Sequence, residues 1–154
     1  MGISLNNDER AEVFGDRDPD NHANLAGQRW GGTPQWQQVQ ERTAGYDKAD
    51  WLAFRREISA IHLKILAAMR AGVPAADPAV LDLAEQHREH VSRWQYDCDH
   101  ETHRQLAELY LTDNRMARSY EDMVPGLTRY MHDAMVANYE RWLTANAAAA
   151  CWLR

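Results

Sequence analysis

The chain has 154 residues, 45% of them apolar, and a net charge of −6, which suits one domain with a real core. The acidic balance excludes a basic stripe for nucleic acid, and no run of about 18 apolar residues is available to cross a membrane. The N-terminus "MGISLNNDER" lacks a signal-peptide pattern, and two cysteines, Cys98 and Cys151, read as free thiols of a cytoplasmic chain.

In chain order, six of the eight glycines lie before residue 46, so the first part reads as short, interrupted helices. Asn7 is a candidate cap for a helix ending at Gly15, and Asp20 for another ending at "RWGG". Thr33-Pro34 supplies an N-cap and a first-turn proline for a helix running to about Thr43. Such helices are weak alone, because nucleation is costly and each internal glycine costs about 1 kcal/mol.

From Asp47 the pattern strengthens. Trp51, Phe54, Ile58, Ile61, Ile65 and Met69 recur at spacings of three and four, predicting a long helix that stops near Gly72-Val73-Pro74. Asp77-Pro78 opens the next, with Val80, Ala84, His87, Val91 and Trp94 on one face. Another helix carries Leu106, Leu109 and Tyr110, and Asp113 caps a short one bearing Met116 and Tyr120. After Pro125-Gly126, the last helix shows Leu127, Tyr130, Met131, Ala134, Asn138 and Trp142 in one stripe. No alternating strand pattern appears. The prediction is an all-α single domain: an arm over 1–45, a body of four or five helices over 46–143, and a tail over 144–154 that extends the last helix or frays.

The stretch "WQYDCDHETHRQLAELY" at 94–110 concentrates polar and aromatic groups. Placed on a continuous helix at about 100° per residue, Asp99, Thr102, His103 and Tyr110 share the side of Leu106 and Leu109. Cys98 falls at the edge, while His100 and Arg104 point to solvent. His87 also faces inward. One inward histidine is ordinarily a satisfied core residue. Two, with a tyrosine, also fit a polar-lined ligand cavity. The metal reading is weak: His90 falls toward the polar side of its helix, Cys98 and His103 diverge by about 140°, and no CxxC or HExxH is present. A Cys98 nucleophile has candidate bases in His87 or His103 but no oxyanion hole. A structural or ligand-contacting thiol is the better reading. Trp51 and Trp142 read as core. Trp94 ends a stripe. Trp30 and Trp36 sit in the glycine-rich arm and need a body, ligand or partner to pack on.

The stretches "MGISLNNDERAEVFGD", "QRWGGTPQW", "TAGYDKADW", "HREHVSRWQYDC", "LAELYLTDNRMARSYED" and "PGLTRYMHDAMVAN" together resemble the TipAS antibiotic-recognition domain. That domain is the C-terminal part of TipA-type, MerR-like regulators of actinobacteria, and is related to stand-alone albicidin-binding resistance proteins. The resemblance implies a globin-like all-α fold without haem, bulky peptide-like ligands such as thiopeptides, and an N-terminal arm that orders over the ligand. It also implies a short form starting near "MGI" that sequesters drug without a DNA-binding head. The family's thiopeptide-binding pattern carries an attacking cysteine seven residues after the "YDC" cysteine; here that position is Gln105, so reversible binding is expected. The expected ligand-binding set is Trp30, Trp36, His87, Trp94, Tyr96, Cys98, His103, Tyr110, Tyr120, Asn138 and Tyr139. Trp30 and Trp36 would close from the arm onto a cleft against the body. No catalysis, metal or cofactor is expected, the partner being a small-molecule antibiotic bound by a monomer. Two alternatives stand: the effector domain of a multidrug-responsive activator, and a haem- or metal-binding helical protein.

Overall fold

The computed structural model describes residues 3–19, 28 and 30–152. Among them are seven α-helices and no strand: α1 (Asn7–Phe14), α2 (Pro34–Ala44), α3 (Lys48–Arg70), α4 (Pro78–Trp94), α5 (His100–Thr112), α6 (Asn114–Glu121) and α7 (Leu127–Trp152). The helix expected from Asp20 lies largely outside the described residues; Gln28 and Trp30 are helical.

Local chemistry explains most boundaries. Asn6, one residue before the expected Asn7, caps α1 with a reciprocal box: its side chain accepts from Glu9 N at 2.9 Å, and its own N–H donates to Glu9 at 3.0 Å. Thr33 caps α2 ahead of Pro34. Asp47 and Asp50 exchange the same pair of bonds before α3, at 2.8 and 3.1 Å. Gly72 ends α3 with φ at +73°, in the left-handed region where a Cβ is strained.

The chain divides into two compact units. One comprises Met1–Ser59 with His90–Asp97, the other Ala60–Glu89 with Cys98–Arg154. Two of the three boundaries fall inside α3 and α4, so those two helices contribute residues to both units. The first unit is built on aromatics. Val13, Phe14 and Trp51 are buried, with Ile3, Leu5, Tyr46, Leu52 and Phe54 packed on them. Trp51 meets Phe14 and Tyr46 edge-on at 5.0 and 5.4 Å. Helix α2, which has no fully buried residue, is fastened to the end of α4 by polar bonds. Arg42 donates to Ser92 O at 2.5 Å and pairs with Asp97, while Gln38 accepts from Asp97 N at 2.6 Å. Tyr46 donates to Trp94 O at 2.6 Å. Two carbonyls that a helix C-terminus leaves without intrahelical partners are thereby satisfied.

The second unit is aliphatic. Ile61, Ile65, Leu66, Val80, Ala84, Leu106, Leu127, Met131, Ala134 and Met135 form its interior, and α5 packs chiefly against α7. Trp142 departs from expectation: it is 37% exposed, near the point where α7 loses cover. Residues 144–152 remain helical, and all are exposed. No helix among the described residues is long and apolar enough to cross a membrane.

Candidate functional site

The sequence prediction treated 94–110 as one helix, and the structure breaks it. Gln95 N and Tyr96 N both bond back to Val91 O, closing α4. Asp99 then caps α5 by accepting from Thr102 N at 2.7 Å. The register restarts, so Asp99 is an exposed cap and not an inward partner of His103. His100, expected in solvent, is half-buried: it stacks on Trp142 at 4.7 Å and bonds Glu85 at 3.0 Å.

In the second unit, four of the expected residues come together. His87 Nδ1 and His103 Nε2 are 2.9 Å apart, and His87 Nε2 lies 3.3 Å from the Tyr120 hydroxyl. Tyr110 approaches the same hydroxyl at 3.4 Å. His62, which sequence reasoning missed, completes the chain at 3.0 Å from Tyr120. Its position beside the Ile58–Ile61–Ile65 stripe was the available signal. His87, His103, Tyr110 and Tyr120 are all buried, and His62 is half-buried. Each neutral imidazole supplies one donor and one acceptor, so a single proton arrangement can run along the chain. Burial drives the His103 pKa down to about 3 and raises Tyr120 to about 12. His103 is therefore neutral at physiological pH, and Tyr120 keeps its proton.

Cys98 is buried, and desolvation pushes its thiol up to about 12. Arg88 donates to Cys98 O at 2.8 Å and pairs with Glu85. Burial alone would raise the Glu85 pKa, but Arg88 and His100 outweigh it and hold it low. Asn138 is buried on α7; its oxygen accepts from Arg141 at 2.8 Å while its amide nitrogen has no partner. Tyr139 is half-buried, stacks on Trp142 at 5.9 Å, donates to Glu101 and lies under the Arg104 guanidinium. Gln105 is exposed on α5.

Trp30, Trp36, Trp94 and Tyr96 all belong to the first unit and are all half-buried. Trp94 rests edge-on against Tyr46 and Phe54, at 5.6 and 6.0 Å. His90, expected on the polar side, is fully buried and bonds Glu57 at 3.0 Å. The reason is that α4 buries a wider arc than the single stripe through His87 and Val91. Among the described residues no three His, Cys, Asp or Glu side chains are grouped to hold a metal ion.

A model of the TipAS antibiotic-recognition domain matches residues 22–138. The chain belongs to that family. Over 141 residues, 92% of its length, it is 42% identical to the HTH-type transcriptional activator TipA of Streptomyces coelicolor. It covers 56% of that relative, so it spans about half the length of the TipA proteins it matches. It is 28% identical over 100 residues to the HTH-type transcriptional activator mta of Bacillus subtilis, covering 65% of this chain and 38% of mta. The fold matches Streptomyces lividans TipAS in complex with nosiheptide, part of a thiopeptide multidrug resistance system, with a TM-score of 0.83 at 41% identity. That match covers 91% of this chain and 98% of the other. A second match is the antibiotic-binding domain of a TipA-class multidrug resistance regulator, with a TM-score of 0.53 at 39% identity, covering 57% and 94%. The all-α architecture is thus that of the TipAS domain, and the His–Tyr chain lies in the part that the family model spans.

Proposed function

We propose that this TipAS domain binds a bulky peptide-like antibiotic, of thiopeptide or albicidin type, and so sequesters it. The observation that carries this is the 0.83 TM-score over almost the whole of a domain solved with nosiheptide. The half-buried rings of Trp30, Trp36, Trp94, Tyr96 and Tyr139 have surface to offer and are the proposed direct contacts. His87, Cys98, His103, Tyr110, Tyr120 and Asn138 are buried and are proposed to hold the interior on which such contacts depend. Coupled ordering of residues 1–45 belongs to the reading. Its support is that α2 is held by a cap and a few polar bonds and buries no residue fully.

Binding is reversible in this reading. The thiolate is the attacking form of cysteine, and a thiol at about 12 supplies almost none at neutral pH. Gln105 offers an exposed amide in place of a thiol. The chain acts in the cytoplasm as a monomer, without touching nucleic acid itself and without catalysing a reaction.

The test is a thermal-shift panel of thiopeptides and albicidin-type compounds, since tight binding to the native state raises the melting temperature. No shift with any member would sink the proposal. Intact mass after incubation with nosiheptide should return the unmodified chain, and an adduct on Cys98 would overturn reversibility. An unchanged circular dichroism spectrum at saturation would remove the coupled folding.

A second reading is favoured by relatives that are HTH-type activators, of which this chain covers 56%. In it the chain is the effector domain of a regulator, and ligand binding leads to gene induction. A helix-turn-helix reading frame fused upstream of Met1 would establish it.

A further inference from the structure

Glu57 faces the last turn of α4 from α3, with its side chain 31% exposed. Its Oε1 accepts from His90 Nδ1 at 3.0 Å and from Arg93 at 2.6 Å. Burial alone would raise the Glu57 pKa, but His90, Trp94 and Arg93 outweigh it and hold it low. The Trp94 indole is thus the third group on that carboxylate. Its contact is electrostatic, because the buried indole nitrogen completes no hydrogen bond. Residues 90, 93 and 94 stand at i, i+3 and i+4, so one acid gathers one face of the turn.

The three partners differ in what they can do. Arg93 is 56% exposed, and an exposed ion pair contributes little. His90 is fully buried, and burial lowers its pKa, so its neutral ring is a fixed anchor for the carboxylate. Trp94 is half-buried, and of the two rings it is the one that reaches the surface. Its backbone is held from another side, since Trp94 O accepts from Tyr46 at 2.6 Å. The outer torsion of a tryptophan has two broad wells, which exchange the N–H edge of the indole for its hydrocarbon edge. Trp94 meets Tyr46 and Phe54 edge-on at 5.6 and 6.0 Å, and such rings discriminate weakly between those edges. A carboxylate discriminates strongly, because it attracts the N–H edge and is only desolvated by the other.

We infer that Glu57 is a positioning residue for antibiotic binding: it selects the well of the Trp94 side chain, and with it the edge that the indole turns to the ligand. This rests on the proposed function, in which Trp94 is a direct contact.

The experiment uses the full chain with Glu57→Gln, with Trp94→Phe and with both. Without ligand, the indole N–H proton signal that Trp94→Phe removes should move upfield in Glu57→Gln, and a signal that stays in place overturns the inference. Nosiheptide affinity is then measured by titration calorimetry for the wild-type chain and the three variants. Glu57→Gln should weaken binding about fivefold when Trp94 is present and less than about twofold in the Trp94→Phe background, because a residue that acts through another loses its effect with it. Equal weakening in both backgrounds would show a merely structural acid and overturn the inference, as would no weakening in either. Glu57→Asp, which withdraws the charge by one methylene, replaces Glu57→Gln should that variant fail to fold. If nosiheptide does not bind the wild-type chain, the antibiotic reading fails for that ligand, and the signal without ligand alone upholds or overturns the hold of Glu57 on the ring.

Discussion

In the second unit His87 uses both ring nitrogens on neighbours, 2.9 Å from His103 and 3.3 Å from Tyr120, whereas in the first unit His90 uses Nδ1 on Glu57 and leaves Nε2 without a partner. Both side chains are buried, on the same helix, three residues apart. The contrast separates two uses of a buried polar group. A connected network fixes the arrangement of its own members and gives the interior one preferred packing. A ring bonded at one nitrogen only, to a partly exposed acid, does this less. A stability measurement should tell the two apart.

Acid should produce the largest effect. The folded pKa of His103 is about 3 against an ordinary 6.5, so between those values the unfolded chain binds the extra proton and stability rises with pH. The contribution is complete above 6.5 and is lost as pH falls toward 3, at up to about 1.4 kcal/mol per pH unit. His90, also lowered by burial and partly held up by Glu57, adds in the same direction. Urea midpoints at pH 7 and pH 5 measure it, and a flat profile would mean that the histidines are protonated without penalty.

His87→Leu should come next. It leaves His103 Nε2 without that partner and removes a bond to Tyr120, at a cost of about 3 kcal/mol in urea unfolding. His90→Leu removes an atom that has no partner, and Glu57 keeps Arg93 at 2.6 Å, so the loss should be about 1 kcal/mol or less. Equal losses in the two variants would erase the contrast between the units.

The smallest effect is expected at α2. Arg42→Met removes the donor to Ser92 O and the partner of Asp97, worth about 1 kcal/mol locally, which should quicken amide exchange in α2 roughly fivefold. Exchange unchanged in α2 would show that other contacts hold it.

The body helices were legible because Trp51, Ile61 and Ile65, or Leu127, Met131 and Ala134, repeat at helical spacing and are all buried. Inward His87 and His103 were legible for the same reason. The break at 95–99 was not, because periodicity carries across a helix end when the next cap, Asp99, is read as part of the face. That error displaced His100 and Asp99 together. His90 was misplaced because one stripe was assigned to a helix that buries two adjoining faces. His62 lay on the right face but was hidden by the isoleucines around it. The pairings themselves, such as Arg42 with Ser92 O fifty residues away, leave no periodic trace.

One consequence follows from the bare end of α7. From Leu143 to Trp152 the helix rises about 14 Å with every residue exposed, so helix propensity, chiefly that of the alanine run, holds it. Cys151 sits in that segment with its thiol in solvent, while the other thiol, Cys98, is enclosed. Mild maleimide chemistry thus has one address. A dye placed there sits beside the Trp152 indole, and its brightness on warming would track the fraying of this single helix end, separately from the melting of either unit.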